Sequence, residues 1–205
     1  MGFLDALLGR TKPVSANLDR IFRMPNAKLT LEAQESYLPT GRAGVCFRPM
    51  VGNSFSNIES EIKNLLDIPD SPSLSDGQSS ASITRVDKAE DKYGFRWIIV
   101  ESKDFEELVT RVHYVNATLN DNGWSPQLLC SVFGFTPTGG NTSADLHDMY
   151  LVYLYKRATF YPFVPTGGER RDNETELRLK EELKEDLVIE SDLAQWFPIW
   201  ELPIS

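Results

Sequence analysis

An unbroken run of apolar and aromatic positions opens the stretch from His147 to Asn173, HDMYLVYLYKRATFYPFVPTGGERRDN. Met149 to Tyr155 is apolar or aromatic throughout, with Leu151, Tyr153 and Tyr155 on one pleat face and Tyr150, Val152 and Leu154 on the other. Side chains alternate across a strand, so this pattern predicts a strand inside a sheet, covered on both faces. After it come Lys156 and Arg157, a second aromatic run of Phe160, Tyr161 and Phe163 broken by prolines, a Gly167-Gly168 turn, and Glu169-Arg170-Arg171 leading into a helix.

The same reading applies along the chain. Phe3, Leu4, Leu7 and Leu8 fall on one face of a short amphipathic turn ending at Gly9. Asn17 to Met24 reads as a short helix ended by Pro25. Lys28 to Ala33 alternates and reads as a strand, and after a Pro39-Thr40-Gly41 turn Ala43 to Arg48 reads as another. Phe55, Ile58, Ile62, Leu65 and Leu66 have helical spacing, behind a Ser56/Glu59 capping box. Pro69 to Ser82 has almost nothing to bury and is expected to be a mobile loop. Ile83–Asp87 and Phe95–Glu101 form a hairpin-like pair through Asp91–Gly94. Asp104 and Glu107 then cap a helix whose stripe is Phe105, Leu108, Val109, Val112, Val115 and Leu119, with Gly123 at the left-handed stop. Gln127 to Phe135 is a buried strand. Asn173 and Glu176 form a third capping box, Leu179, Leu183 and Leu187 mark the inner face of the last helix, and Glu174 and Arg178 are placed for an outer-face pair. The aromatic tail, residues 191–205 with Trp196, Phe197 and Trp200, is expected to fold back as a clasp or to dock a partner.

Strand, strand, helix thus recurs near 28–67, 83–122 and 127–187. Hairpins joined by helices predict an α+β fold, an antiparallel sheet with helices packed on it. The last two units have a secretion-chaperone-like order, an analogy of topology alone. With 205 residues, one domain spanning 1–205 is the expectation, since halves would approach the lower limit of self-sufficient cores.

A formal net charge of −9 argues against nucleic acid as a partner, because phosphate binding needs a surplus of Lys and Arg. Cys46 and Cys130 sit in apolar runs and read as small buried hydrophobes. No apolar run reaches the length of a membrane span and no signal peptide is evident, which points to a reduced, cytoplasmic protein. The Phe3/Leu4/Leu7/Leu8 face offers contact with a partner or with the inner face of the cell membrane, although so small a face is marginal as an anchor.

Candidate chemistry is sparse. The histidines, His113 and His147, stand in no ligand spacing, so no metal and no cofactor is expected. Phosphate loops, dinucleotide fingerprints and nucleophile elbows are missing, and no catalytic residue is assigned. Lys156, Arg157, Tyr161, Arg170 and Arg171 form a basic and aromatic group on an acidic chain, suited to partner docking. Arg170 and Arg171, just before a helix start, also suit a small anion.

The segments MGFLDALLGRTKP, PQLLCSVFGF, LVYLYKRATFYPFVPTGGERRDN and WFPIWELP together resemble the PspA-associated protein family, PspAB. The resemblance implies association with PspA, a coiled-coil membrane-repair protein of the phage-shock envelope-stress response, and carries no reaction motif. The expectation is therefore a non-enzymatic accessory protein that binds a protein partner. Two alternatives stand beside it: an anion-binding enzyme or sensor using the Gly167–Asn173 loop, and a secretion-chaperone-like module that holds peptide segments as a homodimer.

Overall fold

The structure is a computed structural model, and it describes residues 18–49, 62, 86–138, 147–200 and 202–204. Its frame is a sheet of β1 (Tyr37–Phe47), β2 (Val86–Glu90), β3 (Arg96–Glu101), β4 (Leu128–Pro137), β5 (Met149–Leu154) and β6 (Thr159–Phe163). The six strands run antiparallel in the order β2-β3-β1-β4-β5-β6, and β7 (Pro165–Gly167) with β8 (Arg170–Arg171) makes a separate small hairpin. Helices α1 (Met24–Gln34), α2 (Phe105–Leu119) and α3 (Asn173–Leu183), with short helical turns at Leu18–Arg23, Asn120–Trp124 and Leu193–Gln195, complete the described elements. The α+β class predicted above is the one observed.

One sheet face carries the helices. Val45, Ile98, Phe133, Leu151 and Tyr153 meet Leu31, Val109, Val112, Leu179 and Leu183 in a single buried cluster. Asn116 of α2 donates to Ser131 in β4 at 2.8 Å, a buried polar link that fixes where the helix sits. The opposite face carries a second cluster, in which Cys46, Trp97, Cys130, Val152, Tyr161 and Phe163 are covered by Trp196, Leu202 and Ile204 of the tail. β5 is thus an interior strand with both faces buried, as its uninterrupted apolar run requires. Helix α2 begins at Asp104, whose carboxylate accepts from the Glu107 N–H at 2.8 Å, and Gly123 beyond its end has φ +82°.

Several expectations change. Pro25 does not end a helix: it occupies the first turn of α1, where a missing N–H costs nothing. Lys28–Ala33 is helical, not a strand. Leu29 and Leu31 look like alternation, but Met24, Ala27 and Leu31 are buried at helical spacing while Leu29 is exposed. The first unit therefore opens on a helix, and the third inserts β6 and the β7–β8 hairpin before α3, so the strand-strand-helix order holds only over β2, β3 and α2. Strand β1 continues through the Pro39–Gly41 turn as a bulge, between Pro39 and Ala43 on the β4 side. Pro39 is tolerated there because pairing with β3 begins only at Arg42. Ile62 is helical and buried; the rest of the 55–66 helix, the 69–82 loop and Phe3, Leu4, Leu7 and Leu8 lie outside the described residues.

Candidate functional site

The pleat that points Val45, Ile98 and Phe133 at the helices points Cys46, Trp97 and Cys130 the other way. Above these side chains the tail leaves an apolar cleft of about 600 Å³. Cys46, Trp97, Cys130 and Tyr161 form its floor, the β2–β3 turn with Asp91, Tyr93 and Phe95 one wall, and Phe197, Pro198, Ile199 and Trp200 the other. Arg48, Lys156 and Arg157 stand on its rim. Tyr93 and Phe197 are exposed, 56% and 57%, so the mouth is fringed with aromatic surface.

The polar groups inside this cleft are already committed. Trp97 Nε1 donates to Asp91 at 3.0 Å, and the other Asp91 oxygen accepts the Tyr93 and Phe95 amides at 2.9 and 3.0 Å. Tyr161 donates its hydroxyl to the Phe197 carbonyl at 2.8 Å, and burial drives that phenol well above its ordinary pKa, so it stays a donor. Cys46 and Cys130 are opposed across β1 and β4. The neighbouring Cys130 thiol first, and burial second, push the Cys46 thiol upward. As floor residues of a sheet, these positions keep their main-chain groups in the strand ladders.

Two buried carboxylates hold the tail in place. Glu190 accepts from Arg157 Nη2 at 2.9 Å, from Thr159 at 2.7 Å and from the Asp192 amide at 3.0 Å. The Arg157 guanidinium chiefly, helped by those other donors, holds its carboxyl down at about 2. The segment at Val188–Glu190 also adds to β6, with the Phe160 and Glu190 amides donating across at 2.9 and 2.7 Å. Glu176 is the second: it accepts from Arg171 Nε at 2.8 Å and from the Val164 amide at 2.8 Å. Burial raises its pKa, against the pull of Arg171. Arg171 reaches on to the Trp196 carbonyl at 2.7 Å and lies over the Phe163 ring at 5.1 Å. Tyr161 stacks on Trp196 with centroids 5.8 Å apart.

The basic group read from the sequence is thereby divided. Lys156, Arg157 and Tyr161 do converge, at the cleft. Arg171 lies beneath the tail as a structural fork, and Arg170 is exposed on the small hairpin. The helix start near Asn173 holds the chain's own anion. Asp172, one residue earlier than the expected cap, accepts the Glu174 and Thr175 amides at 3.1 and 3.0 Å, and Arg178 pairs with Glu35 instead of Glu174. Sequence reasoning missed Arg48, Asp91, Trp97, Cys46 and Cys130 as cleft residues. The signal was present in the alternation of VCF, RWIIV and LLCSV, which sends one side chain in two away from the helices. Among the described residues no group of three or more His, Cys, Asp or Glu is placed to hold a metal ion, and no helix is long and apolar enough to cross a membrane.

The family model for PspA associated protein B matches residues 1–204. The chain belongs to the PspAB family. No curated protein and no solved structure is significantly similar to it. For this PspAB chain, the family name points to PspA.

Proposed function

We propose that this PspAB protein is a non-catalytic accessory protein of the PspA envelope-stress response, which docks an amphipathic helix of PspA in the cleft beneath its aromatic tail. It would act in the cytoplasm, at the inner face of the cell membrane. One observation carries the proposal: an apolar cleft in which Asp91, Trp97 and Tyr161 are already engaged within the chain, under a rim of cations. A bound extended peptide would bury main-chain N–H and C=O groups against a floor that offers them no partners, and each costs about 1–3 kcal/mol when left unpaired. A helix bonds its own main chain and presents only side chains. Arg48, which has no ion-pair partner among the described residues, and Lys156 then complement acidic residues flanking the apolar stripe of such a helix.

The magnitude is modest. Apolar anchors contribute roughly 1.5–3 kcal/mol each when fully buried, and association costs at least about 4 kcal/mol. Four anchors at the top of that range would leave about 8 kcal/mol, so micromolar binding is the ceiling for this cleft. The experiment is a titration of PspA against the wild-type chain, Phe197→Ala, and Arg48→Glu with Lys156→Glu, with Arg170→Glu as a control. The cleft variants are expected to weaken binding about tenfold or more and the control to leave it unchanged. Equal affinities would remove the cleft from PspA binding. Displacement of nothing by PspA, together with tight uptake of a long-chain anionic amphiphile, would reassign the cleft to an acyl chain.

A further inference from the structure

The floor of the cleft holds one feature that partner docking does not use: the pair Cys46 and Cys130. They are direct partners in the antiparallel β1/β4 register, immediately before the register shift between Cys46 and Phe47. Directly opposed antiparallel residues lie roughly 4.5–5.5 Å apart at Cα, inside the roughly 4.4–6.8 Å window that a disulfide accepts. The bulge beside them gives the local backbone room to adjust. Both side chains belong to the same cluster and both line the cleft. They are 4% and 8% exposed, so a reagent reaches them only from the cleft side. Arg48 and Lys156 at the mouth favour the entry of anionic molecules.

We propose that Cys46 and Cys130 form a reversible cross-strand disulfide on the cleft floor, made by exchange with a small anionic disulfide that enters where the partner docks. In the first step the deprotonated sulfur of Cys130, the more exposed of the two, attacks the small disulfide. A bond from Cys130 to one of its sulfurs forms, the small S–S bond breaks, and one thiolate leaves. Cys46 then gives up its proton, and its sulfur attacks Cys130 and expels the second small thiolate. Two protein thiols are oxidised, one small disulfide is reduced to two thiols, and the two protons end on the departing thiolates. Uncatalysed exchange of this kind proceeds over minutes to hours rather than seconds. An occupant seated in the cleft covers both sulfurs and blocks the attack. That coupling rests on the cleft reading above; the bond itself does not.

The test uses the full chain, glutathione disulfide as oxidant, and the anionic dye anilinonaphthalene sulfonate as occupant, with intact mass read after acid quenching. The wild type is expected to lose two hydrogens in mass and keep no glutathione. Cys46→Ser is expected to stop at the mixed disulfide, and Cys130→Ser, which lacks the attacking sulfur, to stay reduced. A wild type that stays reduced, or that accumulates glutathione adducts, overturns the proposal, and this result stands even if a serine variant fails to fold. Dye at about ten times its dissociation constant leaves roughly a tenth of the clefts open and should slow oxidation about tenfold. Dye fluorescence with an unchanged oxidation rate overturns the cleft as the route of access. No dye binding overturns the cleft reading and the coupling together, and the mass change still decides the bond.

Discussion

Replacing Glu190 by Gln should loosen the tail by an amount that pH can titrate. Glu190 is 2% exposed and is bound through both carboxylate oxygens to Arg157, Thr159 and the Asp192 amide. Its carboxyl lies at about 2 in the folded chain, against an ordinary 4.5. Taken whole, that difference converts to roughly 3 kcal/mol of stabilisation. Arg157 is 46% exposed on its side chain, so water screens part of the attraction, and about 2 kcal/mol is the reasoned share. A depressed carboxylate stabilises the fold above its unfolded pKa, and the contribution fades as pH falls through the folded value. The wild type should therefore exceed Glu190→Gln by about 2 kcal/mol near neutral pH, a factor of about thirty in the unfolding equilibrium. Urea unfolding at a series of pH values measures this gap, which should close between about pH 4.5 and about pH 2. A gap that stays constant across that window would show that shape or hydrogen bonding, rather than the ionised Arg157–Glu190 pair, holds the tail.

The Arg171 fork should resist conservative replacement. Arg171→Lys is expected to cost about 2–4 kcal/mol, because a single ammonium cannot serve Glu176 and the Trp196 carbonyl together. Glu176 is already raised by burial, so with the fork weakened the deficit should grow as pH rises through its titration, the same direction as the Glu190 gap; urea midpoints of wild type and variant across pH check this. Gly41→Ala should cost about 2–3 kcal/mol in thermal or urea unfolding. The backbone there has φ +76°, and a Cβ would lie 2.7 Å from the Ser102 carbonyl oxygen.

What was legible in the chain, and what was not, follows from which forces are local. The α+β class, the β2–β3 hairpin, the Asp104 cap and the burial of Leu179, Leu183 and Leu187 were readable, because periodicity and capping act within a few residues. Met149–Tyr155 was readable because its two apolar faces admit only an interior strand. Helix α1 was misread because Leu29 and Leu31 mimic alternation, and only the packing of Met24, Ala27 and Leu31 against the sheet resolves it. The cap of α3 was displaced by one residue because Asp172 and Asn173 are both good caps, and Glu176 turned inward to Arg171. The cleft was not legible. It is made by a tail returning across distant strands, with Tyr161 holding Phe197 36 positions on and Arg171 holding Trp196 25 positions on, and no local pattern encodes that meeting.

The most direct test of the account is a residue-resolved map of perturbations when PspA is titrated into the isotopically labelled chain. The account predicts that amide and side-chain signals of Trp97, Cys130, Tyr161 and Phe197 move together and saturate at one affinity. Perturbations confined to α1, α2 and α3 on the opposite face, with those four unmoved, would contradict it.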